Sequence, residues 1–320
     1  MDLHFGGSTV INAKQVLRWT LPVVVSTALM GWLFLRIDFT AVLDKVDTES
    51  AALILPALLV YGLFSLVLEA QSIVRVLVTS GQPQNAWVCA RIKAASYLFG
   101  ILHYALGAGV LAVLLQRRAR IGLPDAAGAV GFLAVLDLAL LLFFAAVGAS
   151  MLSNEAPALR AGVLTAAGLG IVGGFVFLRA PGSLGPLDRI RNWNAFRAVR
   201  TTPMRILIEL LLLRFFFVLA FIGLAAVALA AYDIQVPIGD LVINVAAVAL
   251  IAALPIAFSG LGTGQAAFVY LFRHWSDPET LLACSLVLSV GLISLRVAIG
   301  LIFAHELTRE AAVAAKEVEV

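Results

Sequence analysis

The amino-acid sequence predicts an all-α polytopic membrane protein with six spanning helices and two re-entrant helical hairpins, arranged as an inverted repeat. Three observations support this fold class. Of the 320 residues, 62% are hydrophobic and 13% are charged, which is far more apolar than a soluble domain of this length needs to be. Apolar runs long enough to cross about 30 Å of hydrocarbon recur along the chain. Two glycine-containing stretches also interrupt the apolar pattern.

Six continuous apolar runs predict the spanning helices. They cover Val16–Leu35, Ala51–Leu68 with an extension to Val78, Pro124–Ala149, Ala161–Leu178, Ile206–Ala231 and Thr280–Phe303. The first run follows Lys14 and Arg18, and no small-residue cleavage site follows it, so we expect it to remain as the first span.

Two further apolar regions, Ala86–Leu115 and Gly239–Phe272, are broken by glycine and proline. The breaks lie at Gly100, Gly107 and Gly109 in the first region, and at Pro255, Gly260, Gly262 and Gly264 in the second. The number of residues from Leu106 to Arg118 equals the number from Leu261 to Arg273. This equal spacing indicates an approximate duplication. Each region is either one span or a hairpin of two half-helices.

The distribution of lysine and arginine favours the hairpins, because these residues stay mostly on the cytoplasmic side of a membrane. If Ala86–Leu115 crossed completely, the basic loop Gln116–Leu123 and the basic connection Arg179–Arg205 would face outward, opposite the basic N-terminus. If both regions turn back, 16 of the 22 basic residues, Lys93 among them, lie in the cytoplasm. The sequence therefore predicts cytoplasmic N- and C-termini, one hairpin entering from the cytoplasm and the other from the opposite side.

We interpret residues 1–320 as a single integral-membrane domain. Its approximate repeat halves are residues 16–149 and 161–303. The second half contains the basic cytoplasmic connection 179–205, and a cytoplasmic tail, 305–320, extends the last helix. Within the connection, Leu184–Arg205 interleaves apolar and basic residues. It is either an interfacial helix on anionic headgroups or an ordinary basic loop.

Among the charged residues within the predicted spans, three are candidate site residues. Asp137 lies near the middle of Pro124–Ala149, where an unpaired carboxylate is expensive, so it is either a helix-packing carboxylate or a proton or headgroup site. By helical rise, Arg214 and Arg296 lie on the order of 10–12 Å below the cytoplasmic boundary. Either could snorkel alone. Two guanidinium groups at a common depth suit a phosphate, because each forms bidentate hydrogen bonds to its oxygens.

The glycine breaks supply further candidate binding residues, because backbone N–H groups at such breaks can face an anion. The candidates are Gly107 and Gly109 in the first break, and Gly262, Thr263, Gly264 and Gln265 in the second. Close helix packing is the competing explanation for the second glycine pair. His103, beside the first break, is either a binding residue or a hydrogen-bonded core histidine.

The stretch Leu254 to Phe268, LPIAFSGLGTGQAAF, resembles the signature of the flippase-like transmembrane domain found in lysylphosphatidylglycerol synthases and in stand-alone relatives. Earlier in the chain, the order of a helix entering the first break, an arginine-bearing loop and a long helix with Asp137 is also similar to that family. The resemblance implies movement of a polar-headed lipid, such as an aminoacylated or isoprenoid-linked one, between leaflets. The family often has a charged residue near the first break, where this chain has His103, and glutamate near the second, where it has Gln265.

We therefore expect translocation of a polar-headed, phosphate-bearing lipid across the bacterial plasma membrane. The expected partners are a lipid with an anionic or zwitterionic headgroup and either a second copy of the chain or a biosynthetic enzyme. A net charge of +3 does not indicate nucleic acid. Two alternatives stay open: a non-catalytic subunit of an envelope-lipid or glycolipid pathway, and an integral-membrane lipid-modifying enzyme. No catalytic constellation, metal-ligand spacing or cofactor motif is visible, so we expect no enzyme activity, metal or cofactor.

Overall fold

The computed structural model describes residues 39–46, 48–79, 81–101, 104–151, 157–179, 185, 188–253 and 262–318, and these ranges contain helices and connections but no β-strand. The helices are α1 (Phe39–Lys45), α2 (Thr48–Thr79), α3 (Ala86–Gly100), α4 (Tyr104–Ala119), α5 (Leu123–Met151), α6 (Pro157–Gly168, continued by a π-helical turn at Leu169–Gly173 and by Gly174–Arg179), α7 (Asp188–Arg191), α8 (Asn194–Thr201), α9 (Met204–Ala231), α10 (Ile238–Ala253), α11 (Thr263–Phe272) and α12 (Pro278–Val318).

Five of these helices are long and apolar enough to cross a membrane: α2, α5, α6, α9 and the Pro278–Phe303 part of α12. They confirm five of the six predicted spans, with boundaries that shift by at most about four residues. The sixth prediction, Val16–Leu35, lies outside the described residues. α12 continues into the tail, so the predicted helical extension is confirmed.

Each broken apolar region forms a pair of shorter helices. α3 and α4 have 15 and 16 residues, and α10 and α11 have 16 and 10. All four are shorter than the roughly 20 residues that a perpendicular span requires. Within each pair the two helices pack against one another, so neither region continues as one straight rod. Entry and return through one membrane face remains a prediction for both pairs.

The first hairpin turns after Gly100, the first of the predicted breaks, and not at Gly107 and Gly109. α3 ends at Gly100 and α4 begins at Tyr104, so Gly107 and Gly109 lie inside α4, and their assignment as the break was wrong. An interior glycine costs about 1 kcal/mol relative to alanine but does not by itself end a helix. Gly107 permits close packing instead, because a Cβ there would lie 2.6 Å from the Gly100 Cα. In the second hairpin, Gly262 has φ +93° directly before α11, a conformation that favours glycine.

The helices of the two halves pack in corresponding pairs. α2 packs against α9, α3 against α12, and α5 against α10. Suppose that α2, α3, α4 and α5 of the first half correspond to α9, α10, α11 and α12 of the second. Replacing each helix by its counterpart then turns the α3–α12 contact into the α10–α5 contact and leaves the α2–α9 contact as it is. The spacing agrees, because α3 begins seven residues after the end of α2, and α10 begins seven residues after the end of α9. The packing therefore has the two-fold pattern that an internal repeat requires.

Leucine side chains occupy the space left by glycines where α2 meets α12. Leu295 of α12 fills the position that a Cβ on Gly62 would need, and Leu58 of α2 does the same at Gly291. Because each helix contributes one glycine and one leucine, the two helices approach closely. This contact borders the site described below.

The basic connection contains the short helices α7 and α8, and α8 packs against α5. Phe196 and Ala198 of α8 lie against the apolar core, whereas Trp193, just before the helix, is 60% exposed. A helix within Leu184–Arg205 is therefore confirmed, and its placement on the membrane surface remains a prediction.

Candidate functional site

Buried apolar residues form two large clusters, and polar residues separate them. On α5 the first cluster stops at Leu136 and the second begins at Leu140, and Asp137 occupies the gap. The equivalent gaps on α9 and α12 hold Arg214 and Arg296. We use the name polar layer for the charged residues at this level and the tyrosines in contact with them: Tyr61, Glu69, Lys93, Tyr97, Asp137, Arg214 and Arg296.

Asp137 of α5 and Arg214 of α9 form an ion pair. The Arg214 Nη1 lies 3.4 Å from both carboxylate oxygens. The Arg214 side chain is 4% exposed and that of Asp137 28%. The guanidinium carbon also lies 5.5 Å from the centre of the Phe217 ring. A charge among apolar helices is tolerated when an opposite charge partners it, so the pair explains how α5 and α9 carry these residues.

Glu69 of α2 binds two donors from α3. Its Oε1 lies 2.8 Å from the Lys93 Nζ, and its Oε2 accepts a hydrogen bond from the Tyr97 hydroxyl. Lys93 and Tyr97 are four residues apart, so they lie on the same face of α3, and the Nζ is 5.5 Å from the Tyr97 ring centre. With Glu69 only 8% exposed, these contacts join α2 to α3 and neutralise the buried carboxylate.

Arg296 of α12 differs from Lys93 and Arg214. Its side chain is exposed on the protein surface, and none of the ion pairs found among the described residues includes it. Its guanidinium carbon lies 5.6 Å from the ring centre of Tyr97, and it interacts electrostatically with Tyr61. Seven residues separate it from Phe303, where the apolar part of α12 ends, which is about 10 Å along the helix.

A small cavity lies beside the Arg296 guanidinium, between α2, α3 and α12. Its lining residues are Tyr61, Gly62, Ser65, Tyr97, Leu292, Leu295, Arg296 and Ile299. The cavity has room for about one water molecule, so this conformation is too tightly closed to hold a phosphate group. A ligand would enter only if α12 separated from α2 and α3.

The second glycine break is tied to α12 through side-chain hydrogen bonds. Gln265 Oε1 accepts from the Gly262 backbone N–H at 2.6 Å, and Gln265 Nε2 donates to the Ser289 Oγ at 3.0 Å. Thr263 is 4% exposed, and its Oγ1 has no hydrogen-bond partner in the part of the chain that the structure describes. Ser289 and Arg296 are seven residues apart on one face of α12, about 10 Å along the helix.

The structure brings together only some of the predicted site residues. Asp137 and Arg214 contact each other, and Arg296 lies in the same layer on another helix. Gly264, inside α11, has Ala252 as its nearest neighbour, Gly107 lies against Gly100, and no atom lies within 4 Å of a Cβ position at Gly109. His103 is outside the described residues.

Four residues of the layer were missed as site residues by sequence reasoning. Lys93, which the sequence analysis counted among the cytoplasmic basic residues, belongs to the layer. Glu69 and Tyr97 lie beside Lys93, and Tyr61 and Tyr97 lie beside Arg296. Two signals were available: the four-residue spacing of Lys93 and Tyr97, and the eight-residue spacing of Tyr61 and Glu69, both of which place residues on one helix face.

Comparison with known families agrees with a membrane domain. A family model described as "Lysylphosphatidylglycerol synthase TM region" matches residues 19–300, which include the whole polar layer. No curated protein and no solved structure matched the chain in the same comparisons.

Proposed function

Since the chain belongs to the lysylphosphatidylglycerol synthase transmembrane-region family, we propose that it moves a phosphate-bearing lipid between the two leaflets of a membrane. The observation that carries the proposal is the environment of Arg296, which is exposed at membrane depth and outside the ion pairs of the described residues. A guanidinium at such a depth is costly unless a polar group meets it. Phosphate suits it because the two groups form bidentate hydrogen bonds.

The position of α12 supports entry of the lipid from the side. Only 11% of the most apolar segment of α12 is buried inside the protein, whereas 39% of the corresponding segment of α2 is buried. A lipid can therefore reach the Arg296 face of α12 without first passing through the helix bundle. Its headgroup would meet Arg296, while its acyl chains stayed in the bilayer.

The repeated packing supports a mechanism with two alternative openings. Because α3 with α12 corresponds to α10 with α5, an opening on one side of the bundle has a counterpart on the other. Inverted repeats with short broken helices near the substrate are a common basis for such alternation. In this proposal, both hairpins are re-entrant from opposite faces, and transport begins when α12 moves away from α2 and α3.

The predicted orientation is retained in the proposal. The protein would lie in the bacterial plasma membrane with both termini in the cytoplasm, because most basic residues outside the polar layer then face the cytoplasm. Arg214 with Asp137, and Lys93 with Glu69, would hold the helices around the path rather than contact the lipid first.

A reconstitution assay tests the proposal. The purified protein is placed in vesicles containing a trace of fluorescently labelled phospholipid, and a membrane-impermeant reductant quenches the label in the outer leaflet. We expect the wild-type protein to expose nearly all of the label. Loss of a charged hydrogen bond costs about 1.5–3 kcal/mol, so Arg296→Gln should slow transfer by at least about tenfold.

Arg273→Gln is the matched control. Arg273 is exposed after α11, and its guanidinium carbon lies 4.2 Å from the ring centre of Tyr270, so its loss should leave the transfer rate unchanged. Protection of about half the label by wild-type vesicles, as in protein-free vesicles, would refute translocation. Equal rates for wild type and Arg296→Gln would refute the role of Arg296.

The small cavity favours a second candidate, a non-catalytic membrane subunit of an envelope-lipid pathway. With room for about one water molecule beside Arg296, the bundle could serve as a packing partner for a biosynthetic enzyme. This candidate predicts no lipid transfer by the purified chain and a stable complex with that enzyme. Transfer by the purified chain alone would exclude it as the sole function.

A further inference from the structure

One end of the helix bundle carries a surface rich in arginine. The end of α2 and the start of α9 meet there, because the Arg75 Nε lies 3.0 Å from the Glu209 Oε2. Ala119 before α5 and Phe196 of α8 pack with the same apolar cluster as the adjoining turns of α2 and α9. Asp125 is the one exposed acidic residue in the described part of these segments. The exposed arginines, which we name the basic surface, are Arg75, Arg117, Arg118, Arg120, Arg200 and Arg205.

The opposite end of the bundle has the reverse balance of charge. The start of α2 and the end of α9 meet there, because the Ser50 hydroxyl donates to the Ala231 carbonyl at 2.8 Å. Val42 of α1 packs at this end against Leu282, near the start of α12. Acidic residues outnumber basic ones among its described residues, which include Asp44, Lys45, Glu49, Arg160, Asp233, Asp240, Arg273, Asp277 and Glu279. A negatively charged surface is therefore attracted to the basic surface and not to this end.

An exposed tryptophan adds apolar area beside the basic surface. Trp193 directly precedes α8 and is 60% exposed. Its ring stacks on that of Phe196, with the ring centres 6.1 Å apart and the planes 7° from parallel. Phe196 packs in turn against the core of the bundle. Tryptophan beside basic residues is typical of the boundary between lipid headgroups and acyl chains, where its ring can lie partly in each.

The position of α8 is fixed close to the ends of two spanning helices. α6 ends at Arg179 and α9 begins at Met204, and both helices are long and apolar enough to span a membrane. The Arg179 Nη2 donates to the Thr202 carbonyl at 2.9 Å, and the Thr202 Oγ1 donates to the Ala198 carbonyl at 2.6 Å. Thr202 is 2% exposed. Because these contacts tie the end of α8 to α6, α8 stays at the level where the apolar spans end.

We propose that the basic surface, together with α8 and Trp193, docks on the anionic headgroups of one membrane leaflet. Arg75 and Arg205 share Glu209 as their partner, so this group keeps a positive charge. An arginine near an anionic membrane surface favours binding by about fivefold. An acidic soluble protein would meet the same charges, but lipid surrounds the ends of α6 and α9 and reaches Trp193 first. None of these residues belongs to the polar layer, so this inference does not rest on the proposed function.

Fluorescence quenching in nanodiscs tests the proposal on the intact protein. Phosphatidylglycerol or phosphatidylcholine with brominated acyl chains replaces increasing amounts of unlabelled phosphatidylcholine. The Trp193 signal is the difference between wild type and Trp193→Phe. We expect half-quenching of this signal by brominated phosphatidylglycerol at a mole fraction at least about threefold lower than by brominated phosphatidylcholine, because the arginines enrich the anionic lipid around Trp193. Salt at about 0.5 M should abolish the difference by screening.

Two sets of variants control for position and for charge. Trp275 lies at the acidic end, beside Phe272, and the difference between wild type and Trp275→Phe should show no preference for phosphatidylglycerol. The double variant Arg200→Gln with Arg205→Gln should lose most of the preference at Trp193. The double variant Arg200→Lys with Arg205→Lys should keep it, because attraction to a charged surface needs only the charge. Thermal unfolding confirms that the variants fold, as expected for two exposed side chains.

Each outcome decides the proposal. Equal half-quenching of the Trp193 signal by the two lipids, or an unchanged preference in the folded glutamine double variant, would overturn it. Trp193 fluorescence that neither brominated lipid quenches would place the residue outside the bilayer. That result would also overturn the proposal, in favour of a soluble acidic partner. The quenching result is independent of the vesicle assay, because a protein that transfers no lipid can still dock its basic surface on anionic headgroups.

Discussion

Removal of one partner of the Arg214–Asp137 pair should destabilise the helix bundle strongly. Two unit charges 3.4 Å apart attract by about 5 kcal/mol at an effective dielectric constant of 20. Part of this attraction is offset by the desolvation of both groups. Because Arg214 is only 4% exposed, Asp137→Leu leaves its charge buried without a counter-charge. We expect a loss of about 3–5 kcal/mol in the free energy of unfolding.

The double variant distinguishes pairing from general damage. Arg214→Met with Asp137→Leu contains neither charge and fills a similar volume, so it should cost less than the sum of the two single changes. The resulting coupling energy should be about 2–3 kcal/mol, below the full attraction because the Asp137 side chain is 28% exposed. Equilibrium unfolding of the purified protein in mixed micelles measures all four free energies.

Arg205→Gln provides a control for ion pairs in general. Arg205 lies 3.3 Å from Glu209, but its side chain is 90% exposed, so its loss should change the free energy of unfolding by about 0.5 kcal/mol or less. A coupling energy below about 0.5 kcal/mol for Arg214 and Asp137 would refute the reasoning. In that case the two residues would not stabilise each other inside the bundle.

Two further predictions concern the helix hairpin and the start of α12. Gly107→Ala should destabilise the protein by about 1–3 kcal/mol, because the alanine Cβ would meet the Gly100 backbone. Gly109→Ala should be neutral or stabilising by up to about 1 kcal/mol, since that position is open. Equal effects of the two changes on the free energy of unfolding would contradict the packing of α4 against α3. Burial raises the pKa of Asp277, but hydrogen bonds from the Thr280 backbone and hydroxyl outweigh it and hold the pKa below its usual value. The stabilising contribution of Asp277 is therefore complete above about pH 5 and is lost as the pH falls through the lowered pKa. The melting temperature of wild type should consequently fall more below pH 4 than that of Asp277→Asn. Parallel pH profiles of the two melting temperatures would refute this.

Much of the fold follows from the length and continuity of the apolar runs. The α9 helix, Met204–Ala231, matches its predicted span closely because nothing in that run interrupts the helical pattern. Turn positions were harder to predict, because glycine has two uses. Gly262 precedes the first residue of α11 with a positive φ, whereas Gly107 serves close packing against another helix. Only the partner helix distinguishes these uses.

The candidate site could be predicted only in part for a related reason. Asp137, Arg214 and Arg296 stand out because charges are rare in spans. Their roles depend on neighbours from other helices, since Arg214 faces Asp137 while Arg296 faces two tyrosines. Lys93 was counted among the cytoplasmic basic residues because positive charge normally marks that side, although its partner Glu69 lies on the neighbouring helix.

The central claim is that Arg296 takes its counter-charge from a lipid. A structure of the protein in a phosphatidylglycerol bilayer tests this most directly, by locating phosphate density relative to the guanidinium. We predict a phosphate oxygen about 2.9 Å from the Arg296 nitrogens, between α2, α3 and α12. Phosphate density confined to the two membrane surfaces, with Arg296 paired to a protein carboxylate, would contradict the claim.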